Sequence, residues 1–129
     1  GSMSLLSPEL ILEVPATAAH VALARTAVGT AIATLGASVD DVADLALAVG
    51  EAAGLLLECA ANDAILRIEV TSGSDEVTVR VGTACASPPP AGSESLAWIV
   101  LTALAPSVTI RTDGDLTWIT TVHPLHIPV

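Results

Sequence analysis

The sequence of 129 residues contains no lysine, and its four arginines stand against 14 aspartates and glutamates. The formal net charge at pH 7 is therefore -10. Proteins that bind nucleic acid by neutralising phosphates need clustered lysine and arginine, so the composition argues against that class. An anionic membrane surface would repel the chain for the same reason. Basic protein partners or cations suit such a charge better.

Aromatic and charged residues are scarce as well. Aromatics make up 2% of the chain, as Trp98 and Trp118, and charged residues make up 14%, whereas hydrophobic residues make up 52%. This balance excludes intrinsic disorder, which requires low hydrophobicity and high charge. The length fits one domain. We therefore predict one core of alanine, valine, leucine and isoleucine, in which both tryptophans act as large anchors.

From the sequence we expect neither a membrane span nor a leader. The longest uncharged run, residues 95–110, is broken by Pro106 and is shorter than the roughly 20 apolar residues of a transmembrane helix. No basic segment typical of a signal peptide is present. Two cysteines, Cys59 and Cys85, do not make a disulfide framework. We predict a cytoplasmic protein with reduced thiols, a tag remnant at residues 1–3, a domain at 8–123 and a tail at 124–129.

Hydrophobic periodicity predicts helices and strands in one order along the chain. The predicted elements are strand 10–14, helix 16–35, a helix opening at Ser38 and ended by Asn62, strands 65–71 and 76–81, helix 96–104, and strands 108–112 and 116–122. Thr17 and Ser38 are predicted N-caps, and Gly36 is a predicted left-handed C-cap. The order predicts an α+β fold, a two-layer α/β sandwich with a mostly antiparallel sheet and helices on one face.

The most specific pattern lies in residues 40–52, DDVADLALAVGEA. It resembles a helix of the RsbW-like bacterial anti-sigma factors, which are serine-protein kinases with the Bergerat ATPase fold of histidine kinases, gyrase, Hsp90 and MutL. In that family the helix reads D-D-hydrophobic-x-D-L-x-hydrophobic-A-V-S-E-A and continues x-T-N-A-x-x-H-A. Pro15-Ala16, Arg25 and Gly36 match upstream positions of the family. The resemblance covers about residues 10–122 and implies the same fold.

The resemblance also implies an ATP and magnesium site, and the sequence departs from each of its motifs. Glu51 matches the glutamate that orients the attacking water or hydroxyl, but Leu55 replaces the magnesium-binding asparagine and has no lone pair for the metal. Val81 stands where an aspartate accepts the adenine amino proton. Gly92 alone remains of the glycine-rich lid, and Cys59 replaces the family's histidine. We therefore expect a vestigial Glu51 and no bound nucleotide, magnesium or other metal.

Two smaller readings of the sequence stay open beside this one. Glu58 and Asn62 also read E-x-x-x-N, but this register would place the asparagine at the helix end and break the upstream match. A solvated helix face and a helix terminator explain both residues more simply. His123 and His126, in a tail that we predict to be irregular, would need carboxylates from elsewhere to bind a metal.

The resemblance implies a regulatory function. In the family, an anti-sigma dimer holds a sigma factor and exchanges it for an antagonist protein that it phosphorylates on serine, and Arg25 would lie at the partner-binding surface. We expect a regulator that acts by protein–protein binding without kinase chemistry, as a homodimer or with a regulatory partner. The alternative is an active ATP-dependent serine-protein kinase with a divergent nucleotide site. A weaker third possibility is a vestigial pocket that binds some small ligand.

Overall fold

A computed structural model describes residues 8–87 and 95–125 of the chain. The predictions for residues 1–3, Gly92 and His126 lie outside these described residues. Within them, the helices and strands follow the predicted order. The elements are β1 (Leu10–Pro15), α1 (Ala18–Thr34), α2 (Val39–Leu57), β2 (Ile65–Ser72), β3 (Glu76–Ala84), α3 (Leu96–Leu104), β4 (Ser107–Asp113) and β5 (Leu116–Pro124).

The strands form a five-stranded sheet in the order β1-β2-β3-β5-β4, and every neighbouring pair is antiparallel. Alternate residues of the three central strands, β2, β3 and β5, are buried, as Leu66, Ile68 and Val70 are in β2. Successive side chains of a strand point to opposite faces, so this alternation means that one face of the sheet is covered. The helices cover it, and the predicted two-layer α+β fold is confirmed.

The core lies between α2 and the covered face of the sheet. The α2 residues predicted to face the sheet are all buried: Leu45, Val49, Ala52 and Leu56 are each no more than 1% exposed. They recur at helical spacing, so a single stripe of α2 faces inward. Of the described helices, none combines the length and apolar character that crossing a bilayer would require.

Local signals define both ends of the α1–α2 connection. The Asp41 N–H donates to Ser38 Oγ at 3.1 Å, which satisfies one of the free amides at the start of α2. Gly36 has a φ of 86°, the left-handed conformation predicted for it. Thr17 stands at the N-cap of α1 but makes no side-chain cap. Its hydroxyl instead lies 2.7 Å from His20 Nδ1.

The face of the sheet away from the helices carries an ion-pair network. Glu69 Oε2 accepts from Arg67 Nε at 2.8 Å, and Glu69 Oε1 accepts from Arg80 Nη1 at 2.9 Å. Arg67 Nη1 also donates to Glu13 Oε2 at 3.1 Å. Glu69 is the most buried of these side chains, at 15% exposure, and it links β2 to β3. This face of the sheet is therefore polar, and we call it the open face.

Trp118 is buried as predicted, but it lies on the open face and outside the hydrophobic cluster between the sheet and the helices, so it does not anchor that cluster. In the register of β3 and β5 it is opposite Gly82, and the Arg80 guanidinium carbon stands 4.1 Å from the centroid of its ring. The ring is only 7% exposed, because it lies between the strand backbone and the Arg80 side chain. Trp98, in contrast, is partly buried and packs against the core.

The last strand is also longer than the sequence predicts. We expected an irregular tail from His123, but β5 continues to Pro124, with His123 paired to Val77 and Pro124 to Glu76. His123 is 2% exposed, and its Nε2 lies 2.8 Å from Thr121 Oγ1. Burial lowers the pKa of His123, against the opposing charges of two α2 aspartates. The imidazole is therefore mainly neutral at pH 7.

Candidate functional site

The site that the resemblance implies begins on α2, with Glu51 and Leu55 one turn apart. Glu51 is half-buried, whereas Leu55 is 4% exposed and belongs to the core. Residues four apart lie on neighbouring parts of a helix surface, so the metal-binding position of the family falls inside the apolar layer. A buried alkyl side chain there offers no oxygen to a hard cation.

Val81 occupies the second position of the implied site. It lies on the covered face of β3, opposite Ile119 of β5, and is 1% exposed. Leu55 and Val81 thus belong to one hydrophobic core. Neither can accept a hydrogen bond from an adenine amino group or a metal-bound water. The structure brings two of the implied positions together as packing residues, while Gly92 lies outside the part of the chain that it describes.

Two buried hydroxyls beyond Val81 were missed in the sequence. Thr83 and Thr117 face each other across β3 and β5, and both are fully buried. Thr83 Oγ1 donates to the Ile65 carbonyl at 2.9 Å, whereas Thr117 Oγ1 has no hydrogen-bond partner among the described residues. The available signal was threonine at inward positions of otherwise apolar strands. These hydroxyls place polar atoms at the end of the core nearest Cys85.

The cysteines correct another prediction, because Cys59 and Cys85 form a disulfide and are not reduced thiols. Their Cα atoms are 5.0 Å apart, and the bond spans 26 residues of sequence. Cys59 follows Glu58, the C-cap of α2, and Cys85 follows the last residue of β3. The bond joins these two ends because the fold places them side by side, which the count of cysteines did not reveal.

The alternative Glu58–Asn62 register has no helix to carry it. α2 ends at Leu57, Glu58 is its C-cap, and Asn62 is exposed in the turn before β2. Glu58 and Asn62 therefore do not lie on one helix face. The exposed cap and the exposed turn residue agree with the simpler interpretation, in which both are surface groups.

A small cavity of about 80 Å³ lies beside His123 and is lined in part by Asp41 and Asp44. Asp41 is buried at the start of α2, and Asp44 is exposed one turn later. Within residues 8–87 and 95–125, no group of three or more histidine, cysteine or carboxylate side chains has a geometry suited to a metal ion.

A larger groove runs along the outer side of α1 and α2, with a volume of about 580 Å³. Small side chains form most of its wall: Ala22, Thr26, Gly29, Thr30, Ala33, Val42 and Ala46, with Arg25 at their side. Arg25 is exposed and lies across Gly50, where an added Cβ would stand 3.0 Å from Arg25 Cδ. The glycine therefore gives the arginine room to extend over α2.

Sequence comparison finds curated proteins that are similar to this chain. The anti-sigma-F factor RsbW of Mycobacterium tuberculosis, in strains CDC 1551 / Oshkosh and ATCC 25618 / H37Rv, is 41% identical over 103 residues, which is 80% of this chain. The chain resembles RsbW over most of its length. It spans 61% of the length of these relatives. No family model matches it.

The fold of the RsbW-like chain also has a solved counterpart. A crystal structure of the RsbU and RsbW domains of Rv1364c from Mycobacterium tuberculosis superposes with a TM-score of 0.66 at 23% identity. The match covers 93% of the RsbW-like chain and 34% of that larger protein. At this identity the likeness concerns the fold, and it agrees with the layered α+β architecture described above.

Proposed function

We propose that the chain is an anti-sigma-factor-like regulator that acts by binding a protein partner at the α1 surface around Arg25. The 41% identity to an anti-sigma factor supports the regulatory class. The exposed Arg25 beside the α1–α2 groove is the observation that carries the choice of surface. The partner class is a sigma factor or an antagonist protein that competes for the same surface.

The charge of the helical layer supports this choice of surface. Arg25 is the only lysine or arginine of α1 and α2, and α2 places Asp40, Asp44 and Glu51 at least partly in solvent. A guanidinium can bind a carboxylate with two parallel hydrogen bonds, which gives both energy and orientation. We infer that Arg25 pairs with an acidic side chain of the partner, while the neighbouring aspartates favour a partner that is otherwise basic.

Reversing the charge at position 25 tests whether the α1 surface binds the partner. If partner binding desolvates the ion pair, Arg25→Glu should weaken the complex by about 2–5 kcal/mol. The partner is recovered by pull-down from the native host and titrated calorimetrically against wild type and variant. The variant should keep the wild-type melting temperature, because Arg25 is exposed.

The matched control is Arg111→Glu, which makes the same charge change at an exposed position of β4 in the sheet. It should change affinity by no more than about 1 kcal/mol, as expected for a remote surface charge. Equal losses in both variants would mean that the overall charge of the chain, and not Arg25, controls binding. Recovery of no partner, together with a monomeric mass by light scattering, would oppose binding as the function.

We propose further that the chain performs this function without nucleotide chemistry, since Leu55 and Val81 are buried alkyl groups. Millimolar Mg-ATP or Mg-ADP should then leave the melting temperature unchanged in a thermal-shift titration. For comparison, a ligand at 100 times its dissociation constant would add about 2.7 kcal/mol of stability, which is many degrees for a domain of this size. A rise of several degrees would favour the alternative, an active serine-protein kinase with a divergent site.

A further inference from the structure

The disulfide belongs to a small structure that joins the end of α2 to the end of β3. Residues 59–61 and 84–86 form it, and we call it the α2–β3 clasp. Beside the Cys59–Cys85 bond, the Ala61 N–H donates to the Ala84 carbonyl at 2.8 Å, and the Ala86 N–H donates to the Cys59 carbonyl at 3.2 Å. Ala60 and Cys85 also form an isolated antiparallel bridge.

Two observations separate this bond from a permanent structural crosslink. First, the chain already has one extensive apolar core, so it is unlike the small secreted domains that depend on disulfides for a stable fold. Second, both cysteines are only partly buried, at the edge of the core and not inside it. Thiol–disulfide exchange requires access to a sulfur atom, and a bond at the edge of the core meets this condition more readily than one in its interior.

The proposed function adds a third argument, and the inference rests on it to that extent. A regulator of a sigma factor works in a compartment where cellular thiols keep cysteines reduced. Disulfides in such compartments are rare, and those that form are mostly transient, catalytic or redox-sensing. In such a compartment, a disulfide between two cysteines at bonding distance is one that cellular redox conditions can open and close.

We propose that Cys59 and Cys85 form a reversible modification site, which exchanges with a low-molecular-weight thiol and sets how firmly the end of α2 is held to β3. In the forward step a thiolate RS⁻ attacks one cysteine sulfur, forms a mixed disulfide and releases the other cysteine as a thiolate. A second RS⁻ attacks the mixed disulfide, and RSSR leaves. Overall, the protein disulfide, two RS⁻ and two protons give two protein thiols and RSSR.

The first test is a redox titration of the wild-type chain in buffers of reduced and oxidised glutathione. Alkylation under native conditions followed by mass spectrometry counts the free thiols, which should change between none and both of the chain's 2 cysteines. The melting temperature should fall by several degrees on reduction. The Cys59→Ser/Cys85→Ser variant is the matched control, and its melting temperature should not respond to the buffer.

The second test locates the effect within the fold by amide hydrogen exchange. Reduction should speed exchange of the Ala61 and Ala86 amides about tenfold or more, because their hydrogen bonds lie in the clasp. The amides of Ile68 and Val79, in the β2–β3 ladder, should exchange at the same rate in both forms. This readout needs no substitution, so it does not depend on how well the serine variant folds.

Three results would overturn the proposal. The first is that both thiols stay free in excess oxidised glutathione. The second is that millimolar dithiothreitol leaves the disulfide of the native protein intact. The third is that the clasp amides exchange hydrogen at the same rate in the oxidised and reduced chains. None of these measurements involves a partner protein, so any of them would leave the proposed function standing. If Arg25→Glu leaves partner binding unchanged, the argument from the cellular compartment no longer holds. The redox behaviour measured for the two cysteines would still stand.

Discussion

Replacing Leu56 with alanine should lower the free energy of unfolding by about 2–5 kcal/mol. Leu56 is fully buried where α2 packs on the sheet, so the substitution leaves a cavity in addition to the lost apolar burial. Urea denaturation followed by circular dichroism measures the change. The expected loss is a large part of the roughly 5–15 kcal/mol that stabilises a typical domain.

The matched control for this substitution is Leu47→Ala on the same helix. Leu47 is 39% exposed, so its truncation should cost about 1 kcal/mol or less. Comparing the two variants separates core packing from any general effect of leucine on helix propensity. Losses below about 0.5 kcal/mol for both Leu56→Ala and Leu45→Ala would contradict the orientation of α2 described here.

Gly82→Val should displace the Trp118 ring from the open face and cost about 1–3 kcal/mol. A Cβ at Gly82 would stand 2.5 Å from Trp118 Cε3, so the ring must move and lose its contact with Arg80. In a Trp98→Phe background, the fluorescence of Trp118 alone should shift to longer wavelength as the indole enters water.

A glycine with free space around it provides the control for Gly82. An added Cβ at Gly54 meets no atom within 4 Å, so Gly54→Ala in α2 should leave the fluorescence unchanged. Its helix propensity should raise stability by up to about 1 kcal/mol. Wild-type emission and wild-type stability in Gly82→Val would mean that Trp118 does not depend on close approach to the β3 backbone.

The elements that the sequence predicts correctly are those set by local periodicity and capping. α2 is the best case, since its inward stripe includes Leu45 and Leu56, and Ser38 caps it as expected. Hydrophobic spacing and a side chain bonding three residues ahead are both local properties, so a single sequence contains them. The same is true of the β2–β3 hairpin, which alternates on both strands.

The predictions that failed depend on contacts between distant segments. Trp118 alternates with Thr117 and Ile119, so the pattern alone does not say which of them faces the helices; the pairing with Gly82 decides it. Pro124 suggested the end of regular structure. It is tolerated at the last position of β5 because β4 begins opposite Val122, so β5 has a single neighbour beyond that point.

The residues of the candidate site also fall into two groups, those that the sequence identifies and those whose contacts only the structure reveals. Leu55 and Val81 could be picked out by resemblance as departures from the family's motifs, whereas their burial in the core is known only from the structure. No local pattern indicates that Arg25 lies across Gly50, because that contact joins two helices. The pairing of Cys59 with Cys85 was equally hidden, since the ends of α2 and β3 meet only in the folded chain.

The uneven placement of the arginines has a consequence for how a partner approaches. Arg67 and Arg80 are paired on the open face with Glu13 and Glu69, whereas the charged side chains that α2 presents to solvent are all carboxylates. The negative field outside the helical layer attracts a basic protein from a distance and weakens as added salt screens it. Under the proposed function, long-range attraction would select the face, and Arg25 would act only at contact, where it would distinguish one docked orientation from another.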